Sequence, residues 1–128
     1  MTVKLVSVLV KNQQQALRFY TEKLGFIKKT EIPMGDHSWL TVVSTDEPDG
    51  VEVVLEPLGF PPAVVWQEAL YKAGIPLTAF FAEDVDAEYE RLRSVGVVFS
   101  IAPTVMGTAK LAVFDDTCGN NIQIFQIM

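Results

Sequence analysis

The 128-residue sequence predicts an α+β fold made of two successive βαβββ modules, and three observations carry that prediction. Leu5-Val6-Ser7-Val8-Leu9-Val10 is a run rich in branched aliphatics, too short for a helix, that passes almost directly into a capped amphipathic helix. Three further strand-like runs follow, separated by turn residues. A shift of about seventy residues lays the second half over the first, placing Asn12 on Asp84, Gly25 near Gly96 and Met34-Gly35 on Met106-Gly107. A period of that length marks a duplicated module rather than a solenoid.

The elements follow in order. After the strand over residues 5–10, Asn12 caps a helix from Gln13 to Leu24, in which Ala16, Leu17, Phe19, Tyr20 and Leu24 recur at helical spacing before the stop at Gly25. Strands are expected at 26–32, 37–44 and 51–57, with Pro33-Met34-Gly35 and Asp46-Glu47-Pro48-Asp49-Gly50 as turns. Pro61-Pro62 opens a connecting helix within 59–74. The second half repeats the plan: a strand at 77–82, a helix capped by Asp84 and stopped at Gly96, then strands at 97–102, 109–114 and 121–127. The expected organisation is one domain over 1–128, with module one at 1–58, the connecting helix at 59–74 and module two at 75–128.

Composition excludes several classes of function. Hydrophobic residues at 49% and charged residues at 20% give a globular balance rather than a disordered one. No apolar run reaches membrane-span length and no leader pattern opens the chain, so a cytoplasmic protein without a membrane partner is expected. The lone Cys118 rules out an intramolecular disulfide and a cysteine-based zinc site. A net charge of −6, with basic residues scattered rather than gathered into a stripe, argues against a nucleic-acid partner.

Val10-Lys11-Asn12-Gln13-Gln14-Gln15-Ala16-Leu17-Arg18-Phe19-Tyr20-Thr21-Glu22-Lys23-Leu24-Gly25-Phe26 resembles the first-module signature of the glyoxalase/bleomycin resistance protein/dioxygenase (vicinal oxygen chelate) superfamily. Phe114-Asp115-Asp116-Thr117-Cys118-Gly119-Asn120 resembles its last hairpin, and the likeness covers nearly the whole chain. The resemblance implies a cupped mixed sheet with helices outside, an active site within the cup and, for a small member, a homodimer. Alternation then puts Val6, Val8 and Val10 under a helix with Leu5, Ser7 and Leu9 facing the cup; in the last strand Ile122 and Ile124 pack outward while Asn121, Gln123 and Phe125 face in.

In the superfamily's metal-dependent members the resemblance implies ligands on the first and last strands of each module. Those positions fall here on Leu5, on Glu56 or Val54 according to register, on Leu77 and on Gln123. Two leucines cannot replace imidazoles, so no metal is expected. His37, the only histidine, reads as a turn residue; Asp115 and Asp116 as turn formers; Glu83 and Asp84 as a helix start; Cys118 as a small residue without chemistry.

The inward set comprises Ser7, Trp39, Thr41, Glu56, Phe81, Asn121, Gln123 and Phe125. Aromatic walls with a few polar groups suit a small-molecule pocket, and they equally suit a filled core. Glu56 reads as a carboxylate in a wet pocket, a weak candidate acid or base, or as a rim carboxylate beside Pro57. The expected function is metal-free binding of a small, possibly aromatic molecule. The alternative is a metal-dependent glyoxalase (lactoylglutathione lyase) or an extradiol-dioxygenase-like enzyme.

Overall fold

The structure, a computed structural model, describes all 128 residues. The chain forms two compact units, Met1–Val65 and Trp66–Met128. Each holds a four-stranded mixed sheet.

In the first unit β1 (Leu5–Val10) leads through Asn12 into α1 (Gln13–Arg18), and β2 (Ile27–Met34), β3 (His37–Val43) and β4 (Glu52–Pro57) follow. The sheet order is β1-β4-β3-β2, with β1 parallel to β4 and the remaining pairs antiparallel. The Asn12 side chain accepts from the Gln15 amide at 2.9 Å and satisfies a donor that the helix start leaves open. Ala16, Phe19 and Tyr20 are buried, as are Val8, Val10, Leu40, Val42, Val53 and Leu55, which the register places on one face of the sheet. Those side chains are the unit's core. Val6 shares that face yet stays exposed at the start of the strand, contrary to the expectation that it packs under the helix.

The second unit takes most of α2 (Pro61–Ala73), then β5 (Thr78–Phe81), α3 (Val85–Ser94), β6 (Phe99–Met106), β7 (Ala109–Asp115) and β8 (Asn121–Ile127). Its order, β5-β8-β7-β6, repeats that of the first unit, and the β5/β8 pair is again the parallel one. Asp84 caps α3 on the Ala87 amide at 3.0 Å, at the position equivalent to Asn12. Val85, Leu92, Ala112, Phe114, Ile122 and Ile124 are buried, and Tyr89, Phe99 and Phe114 form an edge-to-face ring series from the helix into the sheet. The two-residue hairpins 34–37 and 106–109 both begin on a glycine at positive φ, Gly35 at 71° and Gly107 at 62°, so the internal repeat extends to backbone conformation.

Three elements differ from the sequence expectation. The first helix does not continue regularly to Leu24: it widens into a π turn over Phe19–Lys23, where the Leu24 amide reaches back to the Phe19 carbonyl. The wider turn carries two adjacent rings, Phe19 and Tyr20, into the core edge to face at 5.6 Å. Pro33 and Met34 belong to β2 rather than to a turn, and β6 runs from Phe99 to Met106 rather than from 97 to 102. Both are outer strands, where proline is tolerated. Pro33 lies opposite Ser38, whose amide and carbonyl both turn away from it to the Gln13 side chain, so the Pro33 nitrogen faces the open edge. Pro103 sits where the β6/β7 register shifts. Val97 is absent from β6 because its amide closes the end of α3 on the Leu92 carbonyl.

Candidate functional site

The face of the first sheet turned away from α1 follows from pairing. Leu5 lies opposite Glu52, Ser7 opposite Val54 and Leu9 opposite Glu56, and Thr41 and Trp39 of β3 share that face. Its centre is buried at Thr41, Val43 and Val54, while Ser7, Leu5 and Ile32 are exposed and Leu9, Trp39 and Glu56 are half-buried. Ser7 donates to Glu56 Oε1 at 3.2 Å, and the fully buried Thr41 hydroxyl donates to Glu52 Oε1 at 2.8 Å. Ser7, Trp39, Thr41 and Glu56 are therefore brought onto one surface. The register places Val54 and Glu56, the two alternatives on the fourth strand, both on this face, opposite Ser7 and Leu9, with Glu52 opposite Leu5.

Gln13, read from sequence only as a helix residue, shapes this end of the sheet. The β3/β4 ladder pairs Val42 with Val53 and Thr41 with Val54 and goes no further. Beyond it Gln13 bridges the strands, with Nε2 donating at 2.8 Å to both the Ser38 and Leu55 carbonyls and Oε1 accepting from the Ser38 amide at 3.0 Å. One amide thus stands in for ladder bonds between the segments that carry Trp39 and Glu56. Gln13→Ala is expected to cost about 1–3 kcal/mol, since part-buried partners lose their bonds. Urea denaturation measures that loss, and faster hydrogen exchange at the Ser38 amide locates it.

In the second unit Ala79 pairs with Gln123 and Phe81 with Phe125, and Val113 and Leu111 continue the two rows. The Phe81 and Phe125 rings meet edge to face at 5.8 Å, with Phe81 61% exposed. Asn121 is buried and its side chain donates to the Tyr71 carbonyl at 3.4 Å. Phe81, Asn121, Gln123 and Phe125 share the face turned away from α3.

Next to this face, α2 grips the β7–β8 hairpin. Gln67, 1% exposed, donates from Nε2 to the Cys118 carbonyl at 3.2 Å and to Asn120 Oδ1 at 3.0 Å. The Tyr71 hydroxyl donates to Asp115, and that bond to a carboxylate raises the Tyr71 pKa above the ordinary phenol value. Asp116 is the turn former the sequence suggests and is fully buried: Oδ1 accepts from the Cys118 and Asn120 amides and Oδ2 from the Asn120 side chain. Three donors make burial of a carboxylate tolerable. Cys118 is buried in the same turn.

The first unit also holds a polar cleft of about 390 Å³ between the β1–α1 junction and the β2–β3 hairpin, lined by Lys11, Asn12, Gln14, Asp36 and His37 among others. His37 Nδ1 lies 3.3 Å from its neighbour Asp36.

The sequence model of the glyoxalase/bleomycin resistance protein/dioxygenase superfamily matches residues 2–124. The chain belongs to that superfamily. The uncharacterised protein YurT of Bacillus subtilis (strain 168) is 50% identical over 126 residues, 98% of this chain and 99% of YurT. The crystal structure of UcmS2 superimposes with a TM-score of 0.84 at 34% identity, over 98% of this chain and 97% of that one. TnmS3, described as an antibiotic binding protein from Streptomyces sp. CB03234, superimposes with a TM-score of 0.78 at 29% identity, over 100% and 97%.

The positions at which metal-dependent members of the superfamily carry ligands do not fit a metal here. Leu5 opens β1, and Leu77 lies just before β5 with its amide on the Asn121 carbonyl. Gln123 offers an amide, and the Glu56 carboxylate engages Ser7. Nowhere do three or more His, Cys, Asp or Glu side chains gather as a potential metal site.

Proposed function

We propose that this superfamily member binds a small aromatic molecule without a metal, on the sheet face that presents Ser7, Trp39 and Glu56 and on its counterpart with Phe81, Asn121, Gln123 and Phe125. The observation that carries the reading is the composition of these faces. Rings and aliphatic side chains supply contact area, a few polar groups supply orientation, and leucine stands where metal ligands would be needed. Full-length likeness to an antibiotic binding protein supports it. The reading extends to a homodimer, supported by exposed Leu5, Ile32, Phe81 and Ile127, and to a cytoplasmic location, supported by a lone, buried cysteine.

Thermal unfolding in the presence of planar aromatic compounds tests the binding. Stabilisation that survives EDTA is the expected outcome, reaching about 2.7 kcal/mol at a hundredfold excess over Kd. Elemental analysis tests the alternative of a metal-dependent lyase or dioxygenase. Stoichiometric metal that is lost in Glu56→Ala would replace the present reading. Sedimentation velocity tests the dimer, which a single species at the 14.2 kDa monomer mass would exclude.

A further inference from the structure

The first unit's binding face carries a charge pattern that narrows the ligand class. Both of its acidic side chains, Glu52 and Glu56, are held in place by neutral hydroxyls, those of Thr41 and Ser7, so neither carboxylate is spent on an ion pair. No lysine or arginine of the first unit is directed to this face. Lys28 pairs with Val42 and so points to the helix side, while Lys29 and Lys4 turn to the β3–β4 loop at Pro48 and Asp49. The unit's other basic residues, Lys11, Arg18 and Lys23, lie outside the sheet, on α1 and the segments flanking it.

Resting on the binding reading above, we infer that this face selects a cationic aromatic ligand, one that joins a planar ring to an amine or amidine, and rejects anions. The Glu56 end receives the cation. Ser7 occupies one acceptor site of Glu56 and leaves the others for an ammonium N–H, and half-buried Trp39 on the same face offers a π surface to the ring. Leu5, Leu9 and Ile32 supply the apolar border. Glu52 lies four residues along β4, roughly 13 Å away at strand rise, and adds a longer-range field of the same sign. An anionic ring system would meet two carboxylates and no lysine or arginine, while His37, which opens β3 on the same face, lies 3.3 Å from the Asp36 carboxylate.

The test uses three tricyclic probes of nearly the same shape at pH 7.5: 9-aminoacridine, a cation; acridine, neutral; and acridine-9-carboxylate, an anion. Fluorescence polarisation titrations of the whole protein are expected to show the cation binding about tenfold tighter than acridine at low salt, with no saturable binding of the anion. Glu56→Gln, whose amide oxygen can still accept from Ser7, should bring the cation and the neutral probe within about twofold of each other. Trp39→Ala should weaken both alike. Equal affinities for cation and neutral probe, or a preference that survives Glu56→Gln, overturn the charge selection and leave the binding reading standing. Binding of none of the three overturns both.

Discussion

Asp116→Ala is expected to lower global stability by about 3–5 kcal/mol. The carboxylate is fully buried and accepts three hydrogen bonds at 2.8–3.1 Å, two from backbone amides and one from Asn120 Nδ2. Alanine removes every acceptor and leaves three donors facing protein. Asn120 is also the acceptor for Gln67, so the disturbance passes to the grip of α2 on the hairpin. Asp115→Ala supplies the comparison: its carboxylate is partly exposed, and water can replace what it gives Tyr71 and Thr117. Urea denaturation of the two variants should separate them by at least 2 kcal/mol or so. Equal and small losses would mean that the hairpin is held by something other than Asp116.

Gly119→Ala is expected to cost roughly 3 kcal/mol or more, whereas Gly107→Ala costs about 1–2 kcal/mol. Both glycines have positive φ, 99° and 62°, so both substitutions carry the left-handed penalty. Only Gly119 also has a wall. A Cβ there would come within 2.7–2.9 Å of three atoms of the Gln67 amide, while at Gly107 nothing lies within 4 Å. The Gln67 side chain would have to leave the Cys118 carbonyl and Asn120 to make room. A double-mutant cycle with Gln67→Ala isolates this contact, because deleting the amide removes the obstruction. Strict additivity of the two losses would show that the crowding is not the source of the cost.

The two modules were legible because local signals agreed with one another. Asn12 and Asp84 open the helices, Gly35 and Gly107 turn equivalent hairpins, and apolar alternation puts Ser7 and Glu56, or Gln123 and Phe125, on the same face of their sheets. Less accessible were features set by partners distant in sequence. That Leu5 meets Glu52, and Leu9 Glu56, is set by the parallel β1/β4 register, which no local pattern encodes. Asp115 and Asp116 are chemically identical neighbours, yet one is partly exposed and the other fully buried, because alternate side chains at the end of β7 point to different surroundings. Gln13 and Gln67 look like ordinary polar helix residues. Their roles appear only where strands separate or a hairpin docks, and glutamine alone signals neither. The long outer strands were cut short by their prolines, since a proline halts a strand only where its missing donor is needed.

The placement of Pro33 bears on the colloidal behaviour of the protein. An outer strand with a complete row of outward donors is a template on which a second chain can add, and successive additions lead to aggregates. In β2 that row is interrupted where Pro33 presents a ring carbon instead of an N–H. The neighbouring Ile32 and Met34 are exposed apolar residues, the kind that would otherwise favour such growth. The proline acts as a gatekeeper beside them. Pro33→Val would keep the strand and restore the donor, and its cost would be read in light scattering on concentration rather than in the unfolding curve.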